Sequence, residues 1–240
     1  MAKARQIVKR RKAVTNIRKI TKTMQLIATA RFQKAYSLAT ATKPYTKKIT
    51  QLVGELSQSQ GQIDHPLLRE NPDAPKDLLL VLTSSRGFCG GYNANVLRKA
   101  IAHLNEHVRP SELHVVGKKG NIYFRFIRRE VARAILDIDD RPRFDQVEPI
   151  ATELMRRYEA GELGAVYVTY MKFISTGRQA PDVIQLLPIP KPETVEGQAT
   201  STTAQYDFSP EPAELLKLLL PQTVKVRLYQ SFTDAAVSEQ

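Results

Sequence analysis

The residues best suited to chemistry stand in SSRGFCGGYNANVL, residues 84–97, directly after the apolar run DLLLVL. A glycine-rich turn between a strand and a helix is the usual cradle for a phosphate, because backbone N–H groups at a helix start point toward negative charge. Two specific versions of that chemistry can be tested against the spacing. A Walker loop needs Lys followed by Ser or Thr at the helix start, and RGFCGGYNAN has neither. A dinucleotide fingerprint needs G-x-G-x-x-G and an acid near the end of the second strand. Here the glycines are Gly87, Gly90 and Gly91, and that strand ends in Gly117, Lys118 and Lys119. Only those lysines, which could suit a 2′-phosphate, keep a nucleotide reading open. The simpler expectation is a tight turn whose glycines accept positive φ, with Asn93 capping the following helix.

Other candidate chemistry is sparse. HLNEH, residues 103–107, formally matches H-x-x-E-H, with His103 and His107 at helical i,i+4 spacing, but no third ligand is evident and a solvated helix face accounts for it. Ser84 and Ser85 are not in a nucleophile elbow. Asp139 and Asp140 sit beside Arg141 and Arg143 in what reads as an exposed loop. Cys89 is the only cysteine, which excludes an intrachain disulfide or a zinc cluster of cysteines. No catalytic residue, metal site or cofactor is therefore assigned.

The elements around the loop carry more information. The 240 residues have a net charge of +12, and it is not spread evenly. Residues 1–60 hold 14 Lys and Arg and one acid, Glu55, whereas the remaining residues are nearly neutral. From Ala4 to about Leu56 the only Gly is Gly54 and the only Pro is Pro44, so the pattern predicts a very long helix, kinked or split at Pro44. Counting by sevens from Ile7 reaches Val14, Thr21, Ala28, Ala35, Thr42, Ile49 and Leu56. A companion series three residues on runs Arg10, Ile17, Met24, Arg31, Leu38, Tyr45 and Leu52. That stripe is the mark of a helix packed lengthwise against another. Its partner is expected after Pro221, where Val224, Leu228, Phe232, Ala235 and Ala236 have helical spacing before the sequence ends at Gln240. The pairing would then be completed by another chain or by a longer C-terminal helix.

Between the helical ends, residues 77–85, 112–117, 164–173 and 182–189 read as strands and residues 93–108 and 147–163 as helices. Strand, helix, strand implies a parallel unit. Residues 190–212 read as a surface connection before a short helix, AELLKLLL. The fold class is α/β: a long N-terminal coiled-coil helix, a Rossmann-like alpha/beta body and the start of a C-terminal helix. The expected division is 1–60, 61–212 and 213–240.

Three stretches together resemble the gamma subunit of F-type ATP synthases: RRKAVTNIRKITKTMQLIATARFQKA with KPY downstream, SSRGFCGGYNANVL, and YDFSPEPAELLKLLLPQTVKVRLYQSFTDAAVSEQ. They occur in the family's order and span nearly the whole chain. The resemblance implies a non-catalytic central rotor that couples ion-driven rotation to ATP synthesis in a ring of alpha and beta subunits. It implies epsilon and the c-ring as further partners near the membrane, and a peripheral location on the cytoplasmic face of a bacterial inner membrane. Neither a small-molecule substrate nor a nucleic acid is expected.

Residue by residue, Ile20, Thr21, Lys22 and Met24 fall in the family's I-T-K-x-M segment on the shaft. Arg86, Gly87, Cys89, Gly90 and Gly91 fall in the loop close to the acidic levers of the beta subunits, and Tyr206 and Phe208 fall near the c-ring face. Met1 lies almost at the start of the matched helix, which implies no transit peptide, and the lone cysteine implies no thiol switch of the plant type. In the family the last helix continues well beyond the segment matched here. The alternative reading is a nucleic-acid-binding protein using the basic helix against phosphates.

Overall fold

The computed structural model describes residues 2–59, 65–190 and 212–240. Its first element, α1 (Ala2–Ser59), is one helix of 58 residues, about 87 Å of helical rise at 1.5 Å per residue. Pro44 lies inside it. The expected split at that residue does not occur. Removing one N–H leaves only the Thr40 carbonyl without its usual donor, and the turns on either side are held by packing against another helix.

A 3-10 turn, Pro66–Leu68, leads into the body. There follow β1 (Asp77–Leu82), α2 (Tyr92–Glu106), β2 (Ser111–Val116), α3 (Lys118–Phe126), β3 (Arg133–Ile135), α4 (Phe144–Glu159), β4 (Val166–Ser175), β5 (Arg178–Leu187) and α5 (Pro212–Glu239). The sheet order is β3-β2-β1-β4-β5. The first four strands are parallel and β5 is antiparallel to β4. The expected α/β body is present, and α3 and β3 are additions that the sequence reading lacked. The short helix AELLKLLL and the restart after Pro221 are one helix, because Pro221 interrupts α5 no more than Pro44 interrupts α1.

The central strand explains the layering. All six residues of β1 are buried, as a strand covered on both faces requires. Leu78, Leu80 and Leu82 face a core shared with α4, α5 and the base of α1, whereas Leu79 and Val81 face the core under α2 and α3. α5 is thus a middle layer: Leu216, Leu220, Val224, Leu228 and Phe232 pack into the first core, and α1 lies along its other side.

The seam between α1 and α5 runs through Phe32, Ala35, Ala39, Thr42, Thr46, Ile49, Val53 and Leu56, all buried or half-buried. Their spacing alternates three and four residues, the coiled-coil period. The series through Ala35, Thr42, Ile49 and Leu56 was read correctly from the sequence. Its companion is Ala39, Thr46 and Val53, one residue later than Leu38, Tyr45 and Leu52, and Tyr45 is exposed. Inside the seam the Gln230 side chain accepts from the hydroxyls of Thr42 and Thr46, at 2.9 and 3.4 Å. Midway along the seam Lys43 donates to the Phe173 carbonyl at 3.2 Å and lies over the Phe173 ring.

One glycine is demanded by close approach. Gly117 has φ +90, and a Cβ there would lie 2.1 Å from the Thr83 carbonyl oxygen. Gly117→Ala is expected to destabilise the body by roughly 3 kcal/mol, through strain and displacement of β1 from β2. Gly177→Ala, with nothing within 4 Å, should stay within about 0.5 kcal/mol. Urea unfolding of the two variants provides the comparison, and equal losses would contradict the assignment.

Candidate functional site

The glycine-rich loop begins where β1 ends. Thr83 closes the sheet by donating its N–H to the Val116 carbonyl at 2.9 Å and its hydroxyl to the same oxygen at 2.6 Å. The amides that open α3 are then taken up in turn: Lys118 N–H donates to the Ser85 hydroxyl, Lys119 N–H to the Ser84 carbonyl and Gly120 N–H to the Thr83 hydroxyl. A helix N-terminus binds phosphate with unsatisfied N–H groups. Here neighbouring residues of the chain occupy them.

On the α2 side the polar side chains bond to the loop rather than to the helix start. Asn93 does not cap α2, whose N-cap is Gly91 with no side-chain cap bond. Its side chain turns back into the loop, accepting from the Ser84 N–H at 3.0 Å and donating to the Ser84 hydroxyl at 2.7 Å and to the Cys89 sulfur at 3.1 Å. The Ser84 hydroxyl in turn donates to the Arg86 carbonyl at 2.8 Å. Tyr92 is buried and bonded to the Leu82 carbonyl, and burial pushes its phenol well above the ordinary range. The side chains of Ser84, Asn93 and Cys89 thus bond to one another and make the loop a knuckle. At its apex Phe88 takes φ 61 and is 99% exposed, a left-handed conformation that disfavours a non-glycine residue by about 1–2 kcal/mol.

Arg86 fastens the knuckle to the helices. Its guanidinium meets Asp140 at 3.0 Å through Nη2 and Glu239 at 3.2 Å through Nε. Arg31 of α1 reaches the same Asp140 oxygen at 3.3 Å, and the Gln240 amide donates to it at 3.4 Å. Four segments thus converge on one carboxylate: α1, the loop, the connection before α4 and the end of α5. Asp139, Arg141 and Arg143 are exposed as expected, but Asp140 is mostly buried, at 16% side-chain exposure, and for that residue the expectation of an exposed loop is corrected. Glu239 is held above its ordinary pKa, chiefly by burial and against the pull of Arg86.

Above this junction lies a recess of about 700 Å³ lined by Thr21, Met24, Gln25, Ile27, Ala28 and Arg31 of α1, by Arg86, Gly87 and Phe88, and by Glu239 and Gln240. The structure therefore brings Thr21 and Met24 together with Arg86 and Gly87. Cys89, Gly90 and Gly91 line a second recess of about 380 Å³ on the other side of Phe88. Ile20 and Lys22 are exposed and line neither. Tyr206 and Phe208 lie outside the described residues. Sequence reasoning missed Phe88, Arg31, Asp140 and Glu239. Arg31 had a visible signal, a charge in an otherwise small or apolar heptad series.

From Ala4 to Ile20 α1 has no partner within the described residues, and from Thr21 to Ala28 it lines only the recess. Ile7, Val14, Ile17, Ile20, Met24 and Ile27 are 45–66% exposed, interleaved with Arg5, Lys9, Arg10, Arg11, Lys12, Arg18, Lys19 and Lys22. None of its helical neighbours is acidic.

The remaining candidates are structural. His103 and His107 stack on each other and meet Tyr167 edge-on, and His107 Nε2 pairs with buried Asp77 at 2.7 Å, which Arg109 also holds at 2.9 Å. They are half-buried rather than solvated, and burial lowers the His103 pKa. Among the described residues no group of three His, Cys, Asp or Glu could hold a metal. Glu112 of β2 accepts both guanidinium arms of Arg157 at 2.8 and 2.9 Å, with Lys76 at 2.6 Å and His114 at 2.8 Å, tying β2 to α4. The Arg157 hydrogen bonds hold Glu112 well below the ordinary carboxylate range despite partial burial.

The family model described as ATP synthase matches residues 3–240. The whole chain aligns with the ATP synthase gamma chain of Rhodopirellula baltica at 40% identity, covering 83% of that protein. It aligns with that of Desulfitobacterium hafniense at 35%, again over 83% of the relative. Among solved structures, a chain of the central stalk and c-ring of the Tetrahymena thermophila mitochondrial ATP synthase has a similar fold, with TM-score 0.54 and 20% identity over 89% of this chain and 94% of that one.

Two outcomes follow from the ion pairs. Asp140→Ala leaves Arg86 and Arg31 without their shared acceptor, and is expected to cost about 1–2 kcal/mol and to speed amide exchange through residues 84–92 selectively. Unchanged exchange in that loop would show that Asp140 does not fasten it. Glu112→Gln is expected to cost roughly 3 kcal/mol at neutral pH, because Arg157 and Lys76 lose a buried counterion. Since the folded-state pKa of Glu112 is depressed, its contribution is full above its ordinary value of 4.5 and is lost as pH falls below it. The gap between variant and parent in denaturation midpoint should therefore narrow in acid.

Proposed function

The chain belongs to the ATP synthase gamma-chain family, and from that premise we propose that the free segment of α1 and the loop at residues 86–91 form the surface on which the alpha and beta subunits grip the rotor. The gamma chain is a non-catalytic subunit, the central rotor of the stalk. This agrees with a glycine-rich loop whose residues 83–85 occupy the first amides of α3 and whose Ser84, Asn93 and Cys89 side chains bond to one another. Family membership also displaces the nucleic-acid alternative.

The observation that carries the proposal is the unequal partnering of α1. From residue 32 to 56 it is seated on α5, from 21 to 28 it borders the recess beside the end of α5, and from 4 to 20 it projects beyond with an apolar stripe and cationic flanks. A helix that is stiff, anchored at its base and cationic along its free length suits a shaft turning among acidic neighbours. Arg31 and Arg86 support the same reading, because they lock shaft, loop and α5 into one body where torque would pass. Ile20, Thr21, Lys22 and Met24 are the proposed shaft contacts, and Arg86, Gly87, Cys89, Gly90 and Gly91 the proposed loop contacts.

The c-ring and epsilon are proposed partners of the opposite end, with Tyr206 and Phe208 on the side toward the c-ring. No described helix is long and apolar enough to cross a membrane, which fits a peripheral rotor. The bacterial relatives support placing it on the cytoplasmic face of the inner membrane. The division into 1–60, 61–212 and 213–240 is retained as the proposed split between shaft, body and C-terminal helix.

Reconstitution tests this reading. ATP hydrolysis by alpha and beta subunits is expected to rise on adding the chain, while the chain alone binds no ATP tightly. Arg18→Glu with Lys22→Glu, which reverses two charges one turn apart, should weaken assembly roughly tenfold at low salt and flatten its salt dependence. Tight ATP binding by the isolated chain, or assembly indifferent to the charge reversal, would sink the proposal.

A further inference from the structure

α3 is a short helix with two unlike faces. Gly120 and Phe124 are buried against the sheet. At 100° per residue, Ile122 and Phe126 lie one turn apart on the opposite face, and they are 62% and 84% exposed. Lys119 flanks this pair on one side, and Lys118 and Arg125 on the other. Beyond the helix Ile127, Arg128 and Arg129 continue the same character. Residues 118–129 carry five cations and no acid, and among the described residues none of the five has an acidic partner.

Helix stability does not account for this composition. Arg125, Arg128 and Arg129 suit the negative end of the helix dipole, but Lys118 and Lys119 stand at the positive end, where cations are unfavourable. An exposed Phe and an exposed Ile add nothing to the fold. The face has an apolar ridge with cations on both flanks, the arrangement by which an interfacial helix sinks aromatic and aliphatic side chains among acyl chains while lysines and arginines reach phosphate headgroups.

We propose that the outward face of α3, centred on Ile122 and Phe126, docks on an anionic lipid surface. An acidic protein helix would share the charge complementarity, but it needs a recess to fit. Phe126 stands clear of its neighbours and offers a projection, which a deformable lipid interface accepts without a matching pocket. The patch lies on the α2 and α3 side of the sheet, away from the α1 and α5 seam. The inference goes beyond the rotor reading and does not depend on it.

The test exploits the absence of tryptophan from the chain. In the full-length Phe126→Trp variant the introduced indole is the sole reporter of α3. With vesicles rich in phosphatidylglycerol, its emission should shift to the blue and be quenched by brominated acyl chains, and neither should occur with pure phosphatidylcholine. Adding Ile122→Ser should weaken partitioning about tenfold, the factor for losing burial of one aliphatic side chain. The basic arm of α1 can bring the chain to anionic vesicles by itself, so co-sedimentation with an unshifted indole would overturn the proposal. So would an indole that becomes buried on adding alpha and beta subunits without lipid.

Discussion

The arrangement depends on one constraint: α5 must be covered on two sides. Its inner residues Leu220, Val224, Leu228 and Phe232 belong to the core of the body, and among the described residues α1 covers its outer side. Burying a residue of that size stabilises by about 1.5–3 kcal/mol, so the seam ties the base of the long helix to the body as firmly as any core element. Pro44 of α1 and Pro221 of α5 are tolerated for this reason. A missing hydrogen bond is a local loss, whereas leaving either helix would expose a row of side chains.

The same economy of space explains why a loop with a phosphate binder's composition does not have a phosphate binder's site. The turn after β1 is packed so closely against α3 that Gly117 must pass within contact of Thr83, and the hydroxyls and carbonyl of residues 83–85 then fall on the first amides of α3. Gly117 and Gly120 are required here because protein meets protein, whereas a Cβ at Gly87 or Gly90 would meet nothing within 4 Å. The residual polar capacity of Ser84, Asn93 and Cys89 is spent within the turn, leaving Arg86 to reach Asp140 and Glu239 and Phe88 to face outward.

Much of this was legible in sequence, and the parts that were not have physical reasons. Strands β1 and β4 are continuous apolar runs and α2 has a clean helical period, so they were readable within a few residues. The helix α3 was hidden because KKGNIYFRF buries only Gly120 and Phe124, which leaves no periodic apolar face to detect. Phe32, Ala39 and Val53 escaped because threonines at 42 and 46 interrupt the seam's hydrophobic series, so a count using exposed Tyr45 looked equally good. Asp140 looked like a surface acid because its partners, Arg31 and Arg86, are distant in sequence. Of the expected contact residues, the structure gathers Thr21, Met24, Arg86 and Gly87 around one recess. No local pattern could have joined those segments, since only the antiparallel run of α1 beside α5 sets their register.

The free part of α1 is helical against its own electrostatics. Arg5 and Lys9, Lys9 and Lys12, Arg18 and Lys22, and Lys19 and Lys22 are like charges three or four apart, each pair unfavourable by about 0.2–0.5 kcal/mol, and no acid within the segment relieves them. Thr15, Thr23 and Thr29 bond back to carbonyls four residues earlier, which satisfies the hydroxyls but adds little helical stability. Isolated, such a segment is marginal, because most helical stability in proteins comes from tertiary packing. Acidic surfaces around it would remove the repulsion and cover Ile7, Val14 and Ile17 in one step, so the stiffness a shaft requires would be greatest where it is gripped. Assembly and rigidity are then one equilibrium: neutralising the cations strengthens the helix, and a stronger helix presents its cations in a fixed row.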